Sequence, residues 1–216
     1  KISKLKADLG IVVAFRILPD TVWNMPRLGT INLHASLLPQ YRGAAPINWA
    51  IINGEKETGV TTFFIRKEID TGNILFSEKT QIGENETAGE LHDRLKITGA
   101  GLILRTVKTL EEKNYSSTEQ EKLAESSSEL KTAPKIYPSH CRIDWHSGIE
   151  KIHDFIRGLS PHPGAFTYFI SPGGEKFLVK IFRTFKNEKI SGEPIGNLFC
   201  DGQSIRSAPS RFRTNH

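Results

Sequence analysis

The chain has 216 residues, 38% hydrophobic and 25% charged, and no apolar run near the roughly 20 residues of a membrane-spanning helix, so a soluble globular protein is expected. The first residues lack the apolar core of a secretory signal, and Cys141 and Cys200 fit no metal, redox or disulfide pattern, which predicts a cytoplasmic location. The net charge of +5 is uneven: residues 1–130 carry −1 and residues 131–216 carry +6, which favours either contact with a polyanion or a solvated basic face.

The first part of the chain alternates predicted helices and strands. Residues 1–9 are predicted to end a helix, and the apolar run at 10–15 predicts a buried strand. A short helix at 19–24 and a second strand at 30–33 follow. This strand–helix–strand order predicts a doubly wound, Rossmann-like α/β sheet. Two clear strands are few for such a sheet, so we expect a fragment.

The prediction continues with a helix at 47–52, two β-rich stretches at 59–65 and 73–82, and a long helix at 87–112. Residues 113–133 are rich in Ser, Glu and Lys, and this composition predicts a linker. The sequence thus places a front domain at 1–112.

The back of the chain is predicted to form a small β unit. Residues 141–145 indicate a short strand, and residues 147–159 a helix N-capped by Ser147. Antiparallel strands are expected from Ala165 onward, since apolar residues alternate between Gly-Gly and Asn-Glu turns. We therefore assign a back domain to residues 134–205 and an atypical tail to 206–216.

Asn32 and His34 are the first candidates for chemistry. Alternation along a strand places both on one face, near the carboxyl end where open α/β sheets bind ligands. The Asn32 amide could donate to the oxyanion of a tetrahedral intermediate, and the His34 imidazole could move a proton. The alternative is that both are satisfied polar groups at a strand end.

Asp70 lies between two predicted strands, where it could orient His34 or order a water, or simply cap its own Asp-Thr-Gly turn. The loop at 36–46 could line a flat apolar ligand and offer Arg42 to an anion. A Ser36–His34–Asp70 nucleophile triad lacks the Gly-x-Ser-x-Gly elbow, and a metal site using His92 has no recognised ligand spacing. No glycine-rich phosphate motif occurs.

These residues carry a specific resemblance. From about residue 11 to 104 the chain is similar to the folate-dependent formyltransferases, on the segments INLHASLLPQYRGAAPINWAIINGEKETGVTTFF and IDTGNIL. Residues 41–47, 141–145 and 156–161 resemble the members that formylate methionyl-initiator tRNA. The resemblance implies a partial formyltransferase domain followed by a partial OB-like β-barrel that helps to hold the tRNA.

The resemblance also implies roles. Formyl transfer would run from 10-formyltetrahydrofolate to the methionyl amino group, without a metal, in a monomer. Asn32 would stabilise the oxyanion, His34 would transfer a proton and Asp70 would support His34, with Arg42 on the acceptor substrate. The residues expected against the folate are Ser36, Leu37, Leu38, Pro39, Phe15, Arg16, Ile17 and Leu18.

Two departures from the family pattern qualify this reading. The family's first strands and a loop that grips the acceptor stem would precede Lys1, and its barrel continues past Gly202, so the chain itself is expected to be weakly active or inactive. The alternatives are a sugar-nucleotide or glycinamide ribonucleotide formyltransferase, and a non-catalytic tRNA-binding fragment.

Overall fold

The computed structural model describes residues 2–14, 18–125 and 129–186, and the backbone of strands β9 (Leu198–Cys200) and β10 (Ile205–Ser207). Among these residues no helix is long and apolar enough to cross a bilayer. The helices are α1 (Asp20–Trp23), α2 (Pro46–Ile52), α3 (Ala88–Glu111), α4 (Gln120–Glu125) and α5 (Ile149–Gly158). The other strands are β1 (Gly10–Val13), β2 (Thr30–His34), β3 (Arg42–Gly43), β4 (Glu57–Phe64), β5 (Ile74–Gln81), β6 (Thr132–Ala133), β7 (Ala165–Ile170) and β8 (Lys176–Ile181).

The front domain is built on a four-stranded sheet in the order β1-β2-β4-β5. β1 and β2 are parallel, as the strand–helix–strand prediction requires, but β2 pairs with β4 and β4 with β5 in antiparallel fashion. The sheet is therefore mixed: the Rossmann-like class is confirmed, whereas the strands after β2 are antiparallel and do not continue a doubly wound parallel sheet. The loop at 65–73 contains no helix to carry the chain across the sheet, so β4 and β5 pair antiparallel.

Helix α3 covers one face of the sheet and closes the main apolar core. Leu91, Leu95 and Leu102 recur at helical spacing and are buried in this core. Gly99 lies against the Leu33 side chain, where a Cβ would come within 2.6 Å of a Leu33 methyl carbon. Glycine lowers helix propensity, but at position 99 the absence of a Cβ allows the helix to pack closely on the sheet. The prediction of this helix is confirmed.

The N-terminus of α3 is fixed by a capping box between Thr87 and Glu90. The Thr87 hydroxyl accepts from the Glu90 backbone N–H, and the Glu90 carboxylate accepts from the Thr87 backbone N–H at 2.8 Å and from its hydroxyl. The Glu90 carboxylate also pairs with Arg183. The hydrogen bond from the Thr87 backbone N–H, followed by those from Arg183 and the Thr87 hydroxyl, lowers the pKa of Glu90 from its usual value to about 2.

Because folding lowers the pKa of Glu90, its charged form stabilises the fold above the unfolded value of about 4.5. That contribution is lost as the pH falls toward 2. We expect the Glu90→Gln variant of the full-length protein to be less stable than wild type at pH 6, and the difference to shrink toward pH 2. Urea unfolding at several pH values measures this. The control is Glu111→Gln, which changes an exposed carboxylate at the other end of α3. If the difference in stability between wild type and Glu90→Gln did not change with pH, the prediction would be wrong.

The back domain begins with differences from the prediction. Residues 141–145 form only an isolated parallel bridge, from Arg142 to Phe166, rather than a strand. Helix α5 starts at Ile149 with Gly148 as N-cap, and the Ser147 hydroxyl donates instead to the Asp144 carboxylate at 3.0 Å. At the start of the chain, the expected helix is reduced to a 3-10 turn at Ile2–Leu5.

Helix α5 joins the two domains by packing on α2. The Asn48 side chain donates to the Gly158 carbonyl at 2.7 Å, and Gly158 has no room for a Cβ beside Ile52. The expected antiparallel unit is present as the β7–β8 hairpin, and β9 pairs with β10. The described residues form no closed barrel, so the OB-like architecture stays a prediction.

Candidate active site

Strand β2 presents Asn32 and His34 on the same face, as alternation predicted. His34 is buried at the end of the strand, and its Nε2 lies 2.8 Å from the Tyr41 carbonyl oxygen. A carbonyl oxygen only accepts, so Nε2 carries the proton of this hydrogen bond. In the neutral ring, Nδ1 is then the nitrogen left to accept a proton.

Asp70 reaches His34 from the loop between β4 and β5. Its Oδ2 lies 3.7 Å from His34 Nδ1, and the two side chains are 11% and 7% exposed. The same oxygen accepts a hydrogen bond from the Gly43 backbone N–H at 3.0 Å, which fixes the carboxylate. The carboxylate therefore faces Nδ1 from a fixed position with little water around it, an arrangement in which a carboxylate can orient an imidazole ring.

Asn32 has a side-chain amide that the protein does not satisfy. Its Oδ1 is buried and has no hydrogen-bond partner among the described residues. Buried polar atoms in folded proteins are almost always paired, and an exception calls for an explanation such as a catalytic role. The Asn32 amide, two residues from His34 on one strand face, is thus in place to meet a ligand.

The segment that follows β2 is folded tightly against β4. The buried Ser36 hydroxyl donates to the Gln40 carbonyl at 2.6 Å, and the Thr61 hydroxyl donates to the Ser36 carbonyl at 2.7 Å. Leu38 packs with Phe63 and Ile74. Of the four residues expected to touch folate here, Ser36, Leu38 and Pro39 are buried, and only Leu37 is partly exposed.

The Ser36 hydroxyl is committed to a carbonyl, which argues against a nucleophilic serine. We expect Ser36→Ala in the full-length protein to lower stability by about 1 kcal/mol, because one buried hydrogen bond is lost. Its turnover is expected to stay within a few-fold of wild type, as measured by initial rates well below the unfolding temperature. The paired variant Thr61→Val, which loses a buried hydroxyl of β4 that is bonded to this segment, is the stability control. A loss of activity as large as that of a missing nucleophile would restore the triad hypothesis.

The remaining folate candidates lie before α1. Leu18 is partly exposed, directly ahead of the helix. Phe15, Arg16 and Ile17 fall outside the described residues, so their predicted contact with folate stays a prediction.

Arg42 is held in a way that the sequence did not predict. Its Nε and Nη2 donate to the side-chain oxygen of Gln120 at 2.9 and 2.6 Å. Its Nη1 makes no hydrogen bond within the described ranges, which leaves one edge of the guanidinium for an anion. Gln120 is fully buried although it lies in the predicted linker.

The end of the predicted linker is also bound to the loop at 36–45. β6 pairs in parallel with β3, the Tyr41 N–H donates to the Lys131 carbonyl, and the Ala44 N–H donates to the Ala133 carbonyl, both at 2.7 Å. Gln120 and residues 131–133 of the predicted linker therefore contact the loops that carry the candidate site. Their polar composition gave no signal of this, because the contacts are made by backbone groups and one amide side chain.

The metal alternative gains no support from the geometry. His92 lies on the exposed side of α3 next to Asp93. Within residues 2–14, 18–125 and 129–186, no three His, Cys, Asp or Glu side chains gather in a way that could hold a metal ion.

Comparisons with known proteins agree with this geometry. A family model described as Formyl transferase matches residues 1–107, and one described as Formyl transferase, C-terminal domain, matches residues 135–207. A methionyl-tRNA formyltransferase of Bacteroides thetaiotaomicron is 52% identical over 198 residues, which are 92% of this chain and 61% of that protein. The chain spans about three fifths of the length of the curated relatives it matches.

Two solved structures share the fold. WlaRD, a sugar 3N-formyl transferase, is 20% identical, with a TM-score of 0.71 over 97% of this chain and 72% of that one. HypX of Aquifex aeolicus, solved in complex with tetrahydrofolic acid, is 22% identical, with a TM-score of 0.67 over 88% of this chain and 31% of that one. At these identities the likeness concerns the fold.

Proposed function

The chain belongs to the formyl transferase family, and on this premise we propose that it forms part of an enzyme that transfers a formyl group from 10-formyltetrahydrofolate to the amino group of methionyl-initiator tRNA. The observation that carries the proposal is the pairing of His34 with Asp70 at 3.7 Å, with the Asn32 amide on the same face of β2, in a chain about half identical to methionyl-tRNA formyltransferases over most of its length. Such an enzyme serves translation initiation and works in the cytoplasm.

In the proposed reaction, the methionyl amine attacks the formyl carbon, and the bond from that carbon to the folate nitrogen breaks. His34 Nδ1 accepts a proton from the attacking amine, while Nε2 stays hydrogen-bonded to Tyr41. Asp70 stabilises the imidazolium, and the proton is then available for the leaving folate nitrogen. General acid–base catalysis of this kind contributes about 10²–10⁴-fold.

The Asn32 amide donates to the oxygen that becomes negative in the tetrahedral intermediate. The Oδ1 of the same side chain is buried and has no hydrogen-bond partner among the described residues, which supports a role for this amide in binding a ligand. We place the folate against the segment 36–39, chiefly Leu37, and against the residues from 15 to 18. The free edge of Arg42 would take a phosphate of the acceptor.

The back domain would hold the tRNA, as an OB-like unit in a monomeric enzyme. The charge of +6 on residues 131–216 supports this, because tRNA binding relies on cations that neutralise phosphates. We include in this proposal the division of the chain into a front domain that ends at residue 112 and a back domain that begins at residue 134.

The test uses the full-length protein with labelled 10-formyltetrahydrofolate. Methionyl-initiator tRNA, glycinamide ribonucleotide and an amino-sugar nucleotide are offered in parallel. Label on the tRNA alone supports the proposal, and transfer to either small molecule would assign the enzyme to another branch of the family. tRNA binding without any transfer would instead favour a non-catalytic RNA-binding role.

A further inference from the structure

Gln120 has a side-chain amide whose hydrogen bonds are all used at the candidate site. Its Oε1 accepts from Arg42 Nε at 2.9 Å and Nη2 at 2.6 Å. Its Nε2 donates to the Asp70 carbonyl at 2.9 Å and to the Gly72 carbonyl at 2.7 Å. The residue is 0% exposed and lies outside both segments matched by the family models. One side chain thus binds both Arg42 and the turn that bears Asp70.

The turn at Asp70 needs such support. Asp70 has a φ of 55°, in the left-handed region that non-glycine residues adopt only where their surroundings hold them. The four residues before it, 66–69, are exposed to solvent. In the part of the chain that the structure describes, the turn at Asp70 is held at the site by the Gly43 N–H on its carboxylate and by the two hydrogen bonds from Gln120.

Gln120 itself is placed firmly. Thr118, two residues earlier, exchanges backbone hydrogen bonds with Ile74 at the start of β5, both at 2.8 Å. This bridge brings the N-terminus of α4 to the sheet edge next to the Asp70 loop. The amide therefore acts from a fixed backbone position and can transmit that position to the loop.

We propose that Gln120 is a positioning residue that holds the Asp70 carboxylate against His34 and orients Arg42 in the same arrangement. This inference rests on the proposed function for its catalytic consequence, whereas its structural consequence can be measured without any activity. It gives the segment between the two domains a direct part in the site.

The structural experiment measures amide hydrogen exchange in the full-length protein by NMR. In Gln120→Leu, which keeps a similar volume, the Asp70 turn loses both bonds to the amide, so the Gly43 N–H loses its fixed carboxylate partner. We expect the Gly43 amide to exchange at least tenfold faster while the amides of β2 are unchanged. The control Thr106→Val removes a buried hydroxyl that bonds Thr62 on the other face of the sheet. Unchanged exchange at Gly43, or equal acceleration in the control, would overturn the proposal.

The kinetic experiment separates positioning from general destabilisation. We expect Gln120→Leu to lower kcat of formyl transfer by roughly 10- to 100-fold with little change in the KM for folate, because a misplaced catalytic group costs rate rather than binding. Gln120→Glu keeps an acceptor for Arg42 but turns an oxygen toward the carbonyls of Asp70 and Gly72, so it is not expected to rescue kcat. Thr106→Val should keep wild-type kcat. A wild-type kcat in Gln120→Leu would refute the inference about Gln120. If the wild-type protein transferred no formyl group at all, the proposed function would be refuted instead. The hydrogen-exchange result would then decide whether Gln120 positions the Asp70 turn.

Discussion

Replacing His34 by alanine in the full-length protein is expected to lower kcat/KM for formyl transfer by about 10²–10⁴-fold, the usual contribution of a general acid–base group. The loss follows from the geometry, since Nδ1 is the ring nitrogen left to take a proton and the Asp70 carboxylate lies 3.7 Å from it. Binding of methionyl-initiator tRNA is expected to change little, because His34 is buried beneath the Tyr41 carbonyl.

The measurement combines initial rates with a tRNA-binding assay at fixed salt. The matched control is His92→Ala, which removes an exposed imidazole from α3 and is expected to retain wild-type rates. Asp70→Asn tests the same arrangement, because it removes the charge that supports the imidazolium, and we expect a smaller loss than for His34→Ala. A His34→Ala enzyme with near-normal turnover would show that the proton moves through another group.

The second large effect is expected for Asn32→Leu, which keeps the branched shape and the number of side-chain heavy atoms of asparagine but has no amide. Loss of one oxyanion donor costs about 10²–10³-fold in kcat. The stability of the folded protein is expected to hold or rise, because leaving a buried polar atom such as Asn32 Oδ1 unpaired costs about 1–3 kcal/mol. Activity and stability would then change in opposite directions.

A second asparagine provides the contrast. The amide of Asn48 is satisfied by the Gly158 carbonyl at 2.7 Å, so Asn48→Leu is expected to destabilise the protein where Asn32→Leu does not. Urea unfolding of the two variants and of wild type measures the change in stability. Initial rates of Asn32→Leu measure the loss of kcat. If Asn32→Leu were destabilised as much as Asn48→Leu, the amide would be a structural group and its assigned role would be wrong.

Local sequence patterns predicted the elements that depend on near neighbours. The long helix was predicted from the leucines that recur at helical spacing, and in the structure it runs from Ala88 to Glu111. The shared face of Asn32 and His34 follows from strand alternation alone. The residues alone left two roles open for Asp70, orienting His34 or capping its own turn, and only the family resemblance favoured the first, because nothing in the local sequence shows that the loop at 65–73 folds back over the site.

The features that the sequence did not reveal depend on distant partners. Gln120 is buried by residues 78, 50 and 48 positions away, and no property of its own polar segment indicates this. Residues 141–145 do alternate as a strand would, with Cys141 and Ile143 buried, but only one bridge to Phe166 forms. Strand direction in the sheet was likewise set by the connections rather than by the composition of the strands.

The pairing of β3 with β6 bears on how this protein can be divided for engineering. A chimera cut at residue 112 would separate the front domain from the Gln120 amide. It would also remove two carbonyl groups that accept hydrogen bonds from the front domain: that of Lys131, from the Tyr41 N–H, and that of Pro134, from the Trp49 side chain. A cut just after residue 134 keeps all three with the front domain. A front domain that is to be exchanged between proteins should therefore include about twenty residues beyond the last turn of α3.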